Sequence, residues 1–262
     1  MDDRTKQALI NDFVNRSFRD VADKDYIAAR MAYRYGLVQQ FLWLALQCIE
    51  KYLKAILIYN GKDTRGIEHS LIEAYDGVLK ISDINFDFPK NIEDFVKYLD
   101  AQGKNRYFEY PYYTMGEELF SLDRTVWHIR RYCFYLRSVI KKKDRDDINL
   151  FPVHLKEIQS EDMKKFPHRY RIFGFGSLEK IIKDKKSPIR EQLVWKNFYY
   201  GTYKKKIIKR FTFRSSSGNP AHFLYPQIFP DLEKLVKFSK EVKNHFNNIN
   251  KEKKTNIDKV KA

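Results

Sequence analysis

The chain has 262 residues, of which 43% are hydrophobic and 16% aromatic, which is enough to bury a large core. The net charge of +16 lies entirely in residues 141–262, which hold 30 Lys and Arg against 14 Asp and Glu, whereas residues 1–140 hold 20 of each. Any attraction to nucleic acid or to an acidic surface must therefore come from the C-terminal part. A lysine-rich surface that only keeps the protein soluble explains the same bias.

The start of the chain, MDDRTKQALIND, is charged and lacks the apolar segment of a signal peptide. Cys48 and Cys133 fall on apolar helix faces, which predicts buried thiols in a reducing compartment rather than a disulfide framework. The six histidines are scattered, without HExxH, CxxC or paired-His spacing, so we expect neither a metal nor another cofactor. These features predict a cytoplasmic protein with no membrane segment.

Residues 1–17 predict a short polar helix or arm, and five amphipathic helices follow it. The first covers residues 18–35 and ends at Gly36. The central one, residues 37–59, is apolar on most of its circumference and ends at Asn60-Gly61. Beyond Gln39 and Gln40 in its first turn, its polar residues form one stripe: Gln47, Glu50, Lys51 and Lys54.

The remaining three helices are predicted from residues that can cap their N-termini. Ser70 with Glu73, and Thr114 with Glu117, have the spacing of a capping box, and Asn91 starts the helix between them. The last helix is predicted to continue to about Ile140. Helices joined by short loops predict an antiparallel bundle.

Beyond a charged connector, residues 141–147, the helical periodicity fails. Residues 193–214 have the strongest strand composition, and Gly201-Thr202 suits a two-residue hairpin turn. Pro230-Asp231 starts a last helix, with Leu232, Leu235, Val236, Val242 and Phe246 facing inward. We therefore predict a helical bundle in residues 1–140, a basic mixed α/β extension in residues 148–246, and a disordered tail in residues 247–262.

Several short motifs together resemble the HEPN superfamily. They are DYIAAR (residues 25–30), QCIEKYLKAIL (residues 47–57), Asn60-Gly61, His69-Ser70-Leu71, and Asn105-Arg106-Tyr107 with Pro111. The resemblance covers about residues 18–140. It implies a four- to five-helix up-and-down bundle, commonly dimeric. Many members are RNases of toxin, abortive-infection or CRISPR systems that use Arg, four to six residues, and then His; others bind nucleotides or RNA, or partner minimal nucleotidyltransferases.

The strict Arg–His spacing of the RNases is absent. Arg124 and His128, like Arg65 and His69, have only three residues between them. Arg124 and His128 share a helix face with Arg131, so a His base and an Arg cation could cleave RNA without metal at a dimer face. The alternative is a solvated basic helix face.

The candidate nucleotide- or RNA-binding residues are spread over the sequence. Arg106 suits phosphate binding, and His69 caps or packs at the start of the third helix. Glu50 and Lys54 could line a cleft, although i, i+4 pairing explains them equally. In the predicted hairpin, aromatic and basic residues alternate, including Tyr203, Lys205 and Arg210, which suits single-stranded nucleic acid; a small sheet packed on the bundle is the alternative.

These observations leave two hypotheses for function. The first is an RNA-binding HEPN protein that acts as a metal-independent RNase in a toxin–antitoxin, abortive-infection or phage-defence system. The second is a non-catalytic nucleotide- or RNA-binding module that acts with a partner such as a nucleotidyltransferase or antitoxin. Both predict a homodimer.

Overall fold

A computed structural model gives the fold and describes residues 1–67, 70–103, 105, 108–141, 146–172, 176–201 and 215–249. The chain divides into two compact units, Met1–Lys104 with Glu117–Thr212, and Asn105–Gly116 with Phe213–Ala262. The predicted boundary at the charged connector does not coincide with this division, because residues 146–201 belong to the same unit as the bundle.

Helices account for most of the described chain, and the strands are short. In chain order, the helices are α1 (Asp3–Val14), α2 (Asp20–Arg34), α3 (Val38–Tyr59), α4 (Leu71–Leu79), α5 (Lys90–Gln102), α6 (Glu118–Arg130), α7 (Phe151–Ile158), α8 (Glu161–Lys165), α9 (Ser177–Lys183), α10 (Arg190–Val194), α11 (Ala221–Leu224), α12 (Phe229–Leu235) and α13 (240–249). The strands are β1 (Tyr112–Thr114), β2 (Val139–Ile140), β3 (Ile148–Asn149) and β4 (Ser216–Gly218). The mainly α fold class is confirmed.

Helix α3 lies at the centre of the first unit, as its apolar circumference predicts. Its side chains from Phe41 to Tyr59 are largely buried against α2, α4, α5 and α6. Gly36 and Gly61 bracket the helix with φ values of 73° and 67°, a conformation that glycine adopts without a steric penalty. The Asn60 side chain donates to the Ile56 carbonyl at 2.8 Å, which completes the predicted C-terminal cap.

The starts of two other helices test the capping predictions. The Ser70 hydroxyl accepts from the Glu73 amide at 3.2 Å, so the predicted cap of α4 is confirmed. Thr114 instead lies in β1, and α6 begins at Glu118, so the second predicted capping box is wrong.

Helix α6 also ends ten residues earlier than predicted, at Arg130 rather than Ile140. The Tyr170 hydroxyl donates to the Arg131 carbonyl at 2.9 Å. The amides of Tyr132 and Cys133 donate to the carbonyls three residues before them, Ile129 and Arg130, so the last turn tightens and the helix ends. The chain turns instead and forms β2, which pairs antiparallel with β3 around the connector.

The predicted hairpin in residues 193–214 is wrong in its described part. The predicted hairpin begins within α10, which ends at Val194, and residues 195–201 form turns. Residues 202–214 lie outside the described residues. Among the described residues, the antiparallel hairpin is β2–β3, whose strands lie on either side of the connector.

In the second unit, β1 pairs antiparallel with β4, with Tyr113 opposite Ser217. Phe229, Phe238, Val242 and Phe246 form its small core around the buried ring of His222. The predicted last helix is interrupted, because α12 stops at Leu235. Leu235 and Val236, expected to face inward, are 81% and 51% exposed. Of the predicted disordered tail, residues 247–249 are helical and residues 250–262 lie outside the described residues.

In the described part of the chain, every helix is too short or too polar to cross a membrane.

Candidate functional site

Helix α6 carries the predicted catalytic pair. Arg124 is partly exposed, and its guanidinium carbon lies 4.4 Å from the centroid of the Phe120 ring. Burial raises the pKa of Tyr199, while the charge and hydrogen bond of Arg124 oppose that shift, so Arg124 is held between two aromatic side chains. One turn further along, His128 is only 9% exposed.

The surroundings of His128 fix its protonation. Burial, and then the charges of Arg131, Arg124 and Lys164, lower its pKa to about 3. The His128 Nδ1 atom lies 3.2 Å from Nη2 of Arg131, which can only donate, so the ring's single proton is on Nε2 at neutral pH. A general base needs a pKa near the working pH and a free nitrogen facing the substrate, and this imidazole has neither.

Arg131 is held by contacts within the chain rather than facing solvent. It is 1% exposed, donates to Asp87 at 2.5 Å and to the Ile158 carbonyl at 2.6 Å, and lies 4.7 Å from the Trp127 ring centroid. The expectation that this stripe forms a solvated or partner-facing surface is therefore wrong for His128 and Arg131. The physical reason is that α7, Tyr170 and Tyr199 cover this side of α6, which the periodicity of one helix cannot reveal.

The first unit contains a buried ion network that the sequence did not suggest. Arg130 donates to both oxygens of Asp23, at 2.7 and 2.8 Å, and to both oxygens of Glu179, each at 2.7 Å. The Tyr52 hydroxyl and the Leu178 amide also donate to Asp23. Burial alone would raise the pKa of Glu179, but the charge and hydrogen bonds of Arg130 outweigh it and lower the pKa to about 2.

A second buried arginine joins the bundle to the extension. Arg30 pairs with Asp123, and it donates to the Trp195 carbonyl and, at 2.9 Å, to the Gln192 carbonyl. One signal in the sequence could have pointed to these residues. Asp23 and Arg30 lie three residues before and four residues after Tyr26, so they share its inward face. Apart from Tyr52, their partners lie 93 to 165 residues away and could not be read from any local pattern.

A known protein family matches the part of the chain that holds these arginines. The model of the HEPN domain family matches residues 16–141. Those residues are a HEPN domain. No curated protein and no solved structure matches the chain.

The HEPN domain contains both arginines of the buried networks, together with Asp23 and Asp123. The remaining partners, Glu179 and the carbonyls of Gln192 and Trp195, belong to the extension. A HEPN domain indicates a function related to nucleotides or RNA. In this chain, the helices of the domain and residues 146–201 belong to one compact unit, whereas residues 105–116 of the domain belong to the other.

The polar stripe of α3 is ion-paired, both within the helix and with α2. The Lys54 amine lies 2.7 Å from Glu50, and the Lys51 amine lies 2.6 Å from Asp25. The pairing interpretation is confirmed for Glu50 and Lys54, and their role in nucleotide or RNA binding stays a prediction. The other predicted binding residues lie outside the described residues: Arg106, His69, Tyr203, Lys205 and Arg210.

A strongly basic segment follows the HEPN domain. In the described residues of 164–186, which we call the basic segment, eight cations are exposed against a single exposed carboxylate, Asp184. The cations are Lys164, Lys165, Arg169, Arg171, Lys180, Lys183, Lys185 and Lys186. The half-exposed ring of Phe166 lies 4.3 Å from the guanidinium carbon of Arg169.

Buried contacts fix the basic segment to the bundle. Tyr170 donates to the Arg131 carbonyl, the Ile172 amide donates to Glu179 at 3.4 Å, and Glu179 pairs with Arg130. Ile172 and Leu178 are almost fully buried. The exposed cations therefore project from a segment whose backbone is held by the HEPN domain.

Proposed function

We propose that this protein binds single-stranded RNA on the basic segment, with the HEPN domain as its rigid support. The observation that carries this proposal is the excess of exposed cations over carboxylates in a segment anchored by Arg130 and Glu179: of its eight exposed cations, Lys164 pairs with Glu161 and Asp87, and seven others face one exposed carboxylate, Asp184. Lysine and arginine side chains that meet phosphates release condensed counterions, and this term dominates nucleic-acid affinity.

The chemistry of the segment favours a single strand over a rigid duplex. Phe166 offers a ring on which a base can stack, and Arg169 beside it can contact the same base through its planar guanidinium. The amines of Lys180, Lys183, Lys185 and Lys186 form no ion pair with other described side chains and are available for phosphates. Tyr203, Lys205, Arg210 and Arg106 stay predicted as further contacts.

The environment of His128 supports the binding hypothesis over the catalytic one. A neutral histidine with a pKa of about 3 and its Nδ1 facing a guanidinium is a poor base for activating a ribose hydroxyl. Cleavage by Arg124 and His128 in a toxin, abortive-infection or phage-defence system remains a hypothesis. A nucleotidyltransferase or antitoxin partner remains one as well.

The test is RNA binding by fluorescence anisotropy, in EDTA and over a series of salt concentrations. The variant Lys180→Gln/Lys183→Gln/Lys186→Gln removes three charges from the basic segment. The matched control, Lys24→Gln/Lys62→Gln/Lys80→Gln, removes three exposed charges from the HEPN domain.

Each phosphate contact contributes about 0.7 to the slope of log K against log salt for a single strand, so the first variant should lower that slope by about 2. Affinity at low salt should fall by at least about tenfold, and the control should bind like the wild type. Equal losses in both variants, or no binding by the wild type, would contradict the proposal. Displacement of RNA by a mononucleotide would indicate nucleotide binding instead.

A further inference from the structure

The two-stranded ribbon of β2 and β3 has one face that lines a groove. Its register pairs Val139 with Asn149, and it places Arg137 opposite Phe151 two residues further along. Because successive side chains of a strand point to opposite faces, these four residues and Asp147 share one face. Together the five residues line a groove of about 410 Å³, a size typical of small-molecule sites.

One end of the groove is a flat surface formed by an arginine and an aromatic ring. The guanidinium carbon of Arg137 lies 4.6 Å from the centroid of the Phe151 ring. Nη2 of Arg137 contacts the Asp83 carboxylate and donates to Oδ1 of Asn60 at 3.2 Å. These contacts offset its charge and occupy the atom that a bidentate phosphate contact needs, while 35% of the side chain stays exposed. Arg137 is therefore better suited to stack on a planar ring than to bind a phosphate.

The other end of the groove offers hydrogen-bonding groups. Asp147 is exposed and forms no ion pair or hydrogen bond with another described residue. Oδ1 of Asn149 accepts from the Phe151 amide at 3.0 Å, which leaves its Nδ2 group as a donor. The exposed side chain of Val139 adds an apolar surface. The groove thus combines a stacking surface, an apolar floor, and a carboxylate close to an amide donor.

Guanine is the nucleic-acid base whose edge fits these groups best. Its Watson–Crick edge presents two adjacent N–H donors, at N1 and the 2-amino group, and one acceptor, O6. The two donors match the two oxygens of the Asp147 carboxylate, and O6 matches the Asn149 amide. Adenine and cytosine place a bare acceptor nitrogen beside their single amino group, and uracil has one N–H between two carbonyls. Each of these three bases would therefore bring an acceptor against the carboxylate.

We propose that the groove holds an unpaired guanine of an RNA strand whose phosphates contact the basic segment. This inference rests on the proposed function, because the strand is the one that the basic segment binds. The cations supply affinity without sequence preference, and the groove adds a preference for one base.

The path between the groove and the basic segment is short. Phe151 begins α7, which has eight residues and is about 12 Å long. At the far end of α7, the Ile158 carbonyl accepts from Arg131, and the Arg131 carbonyl accepts from Tyr170 of the basic segment. A single strand of a few nucleotides can therefore place one base in the groove and its phosphates on the basic segment.

Base substitution in the RNA tests the groove directly. Fluorescence anisotropy compares a short oligoadenylate with the same strand carrying one central guanosine, or one central inosine, which lacks the 2-amino group. A bidentate contact between a side chain and a base should make the guanosine strand bind at least about fivefold more tightly than the oligoadenylate. The inosine strand should retain only part of that preference.

Two neighbouring carboxylates separate the effect of the groove from the effect of charge. Asp147→Asn removes the two acceptors in the groove, whereas Asp146→Asn changes an exposed carboxylate on the opposite face of the strand. Each variant removes one negative charge, so both should bind every strand more tightly. Only Asp147→Asn should bind the guanosine and adenosine strands alike. Both side chains are exposed, so circular dichroism should show wild-type folding.

A free nucleotide is the alternative source of the base, and titration of GMP alone tests it. GMP lacks the neighbouring phosphates that reach the basic segment, so it should bind at least about tenfold more weakly than the guanosine strand. GMP that binds as tightly as the strand would overturn RNA as the source of the base.

Equal binding of the guanosine and adenosine strands by the wild type would overturn the proposal, as would a guanosine preference that survives in Asp147→Asn. The groove and the basic segment fail separately. Salt-dependent binding without a base preference overturns the groove alone. A guanosine preference that persists while Lys180→Gln/Lys183→Gln/Lys186→Gln binds like the wild type overturns the role of the basic segment alone.

Discussion

The carboxylate of Glu179 and the guanidinium of Arg130 form a bidentate ion pair, with both contacts at 2.7 Å and both side chains buried. Arg130 lies at the end of the last helix of the HEPN domain, and Glu179 lies in the basic extension. Asp23, from the first helix of the domain, accepts hydrogen bonds from Nε and Nη2 of the same guanidinium. Three distant parts of the chain therefore meet at one arginine.

Glu179→Gln should destabilise the first unit strongly. It leaves Arg130 with a single carboxylate in a buried site, and breaking one partner of a buried pair typically costs about 3 kcal/mol or more. Urea denaturation measures this loss. Glu161→Gln removes an exposed ion pair with Lys164 in the same extension and should leave the midpoint nearly unchanged. Equal midpoints for the two variants would contradict a stabilising role for the network.

Arg30→Lys should loosen the extension locally. The planar guanidinium of Arg30 reaches Asp123 and two backbone carbonyls at once, a geometry that a lysine amine cannot reproduce. Amide hydrogen exchange should accelerate in residues 190–201, with less change in α4 and α5. Arg34→Lys, one turn later on α2, changes a more exposed contact to Gln192 and Glu191 and serves as the control. Unchanged exchange in Arg30→Lys would show that those carbonyl contacts contribute little.

The parts of the fold that sequence predicted are those determined locally. The α3 helix follows from its own apolar circumference, and the cap of α4 follows from Ser70 three residues before Glu73. The end of α6 could not be predicted, because the segment after Arg130 packs against residues far along the chain, such as Tyr170, 39 residues away, whose hydroxyl donates to the Arg131 carbonyl. The same reason applies to His128. The periodicity of α6 predicts which helix face it lies on, but residues far along the chain decide whether that face is exposed.

The candidate site shows the same limit. Glu50 and Lys54 could be paired from their i, i+4 spacing alone, and the structure has that pair. Asp23 and Arg130 lie in different helices, and Glu179 lies in a segment without clear periodicity. Their meeting depends on the path of the whole chain, which no local signal in the sequence encodes.

The buried His128 should make stability depend on pH. Its pKa is about 3 in the folded protein and near 6.5 when unfolded, so the unfolded state binds more protons between these values. His128 therefore has little effect on the free energy of unfolding above about pH 6.5. Below that pH it lowers the free energy of unfolding, with a limiting slope of about 1.4 kcal/mol per pH unit.

His128→Gln isolates this contribution. Between about pH 6 and pH 5, the difference in unfolding free energy between wild type and variant should change by about 1 kcal/mol, in favour of the variant at the lower pH. Glu179 does not interfere, because its low pKa places most of its loss of stability below about pH 4.5. Parallel pH profiles for both proteins would mean that His128 titrates alike in the folded and unfolded states.

The same low pKa gives an expectation for catalysis by Arg124 and His128. Purified wild type and His128→Ala, each incubated with RNA in EDTA at neutral pH, should leave the RNA equally intact, because the histidine cannot accept a proton from the ribose hydroxyl. EDTA removes metal-dependent contaminants, and Arg124→Ala provides a second variant at the more exposed position. Cleavage by the wild type that disappears in both variants, with folding unchanged, would establish a metal-independent RNase. It would also require His128 to become exposed on binding RNA, since its position beside Arg131 leaves no room for base catalysis.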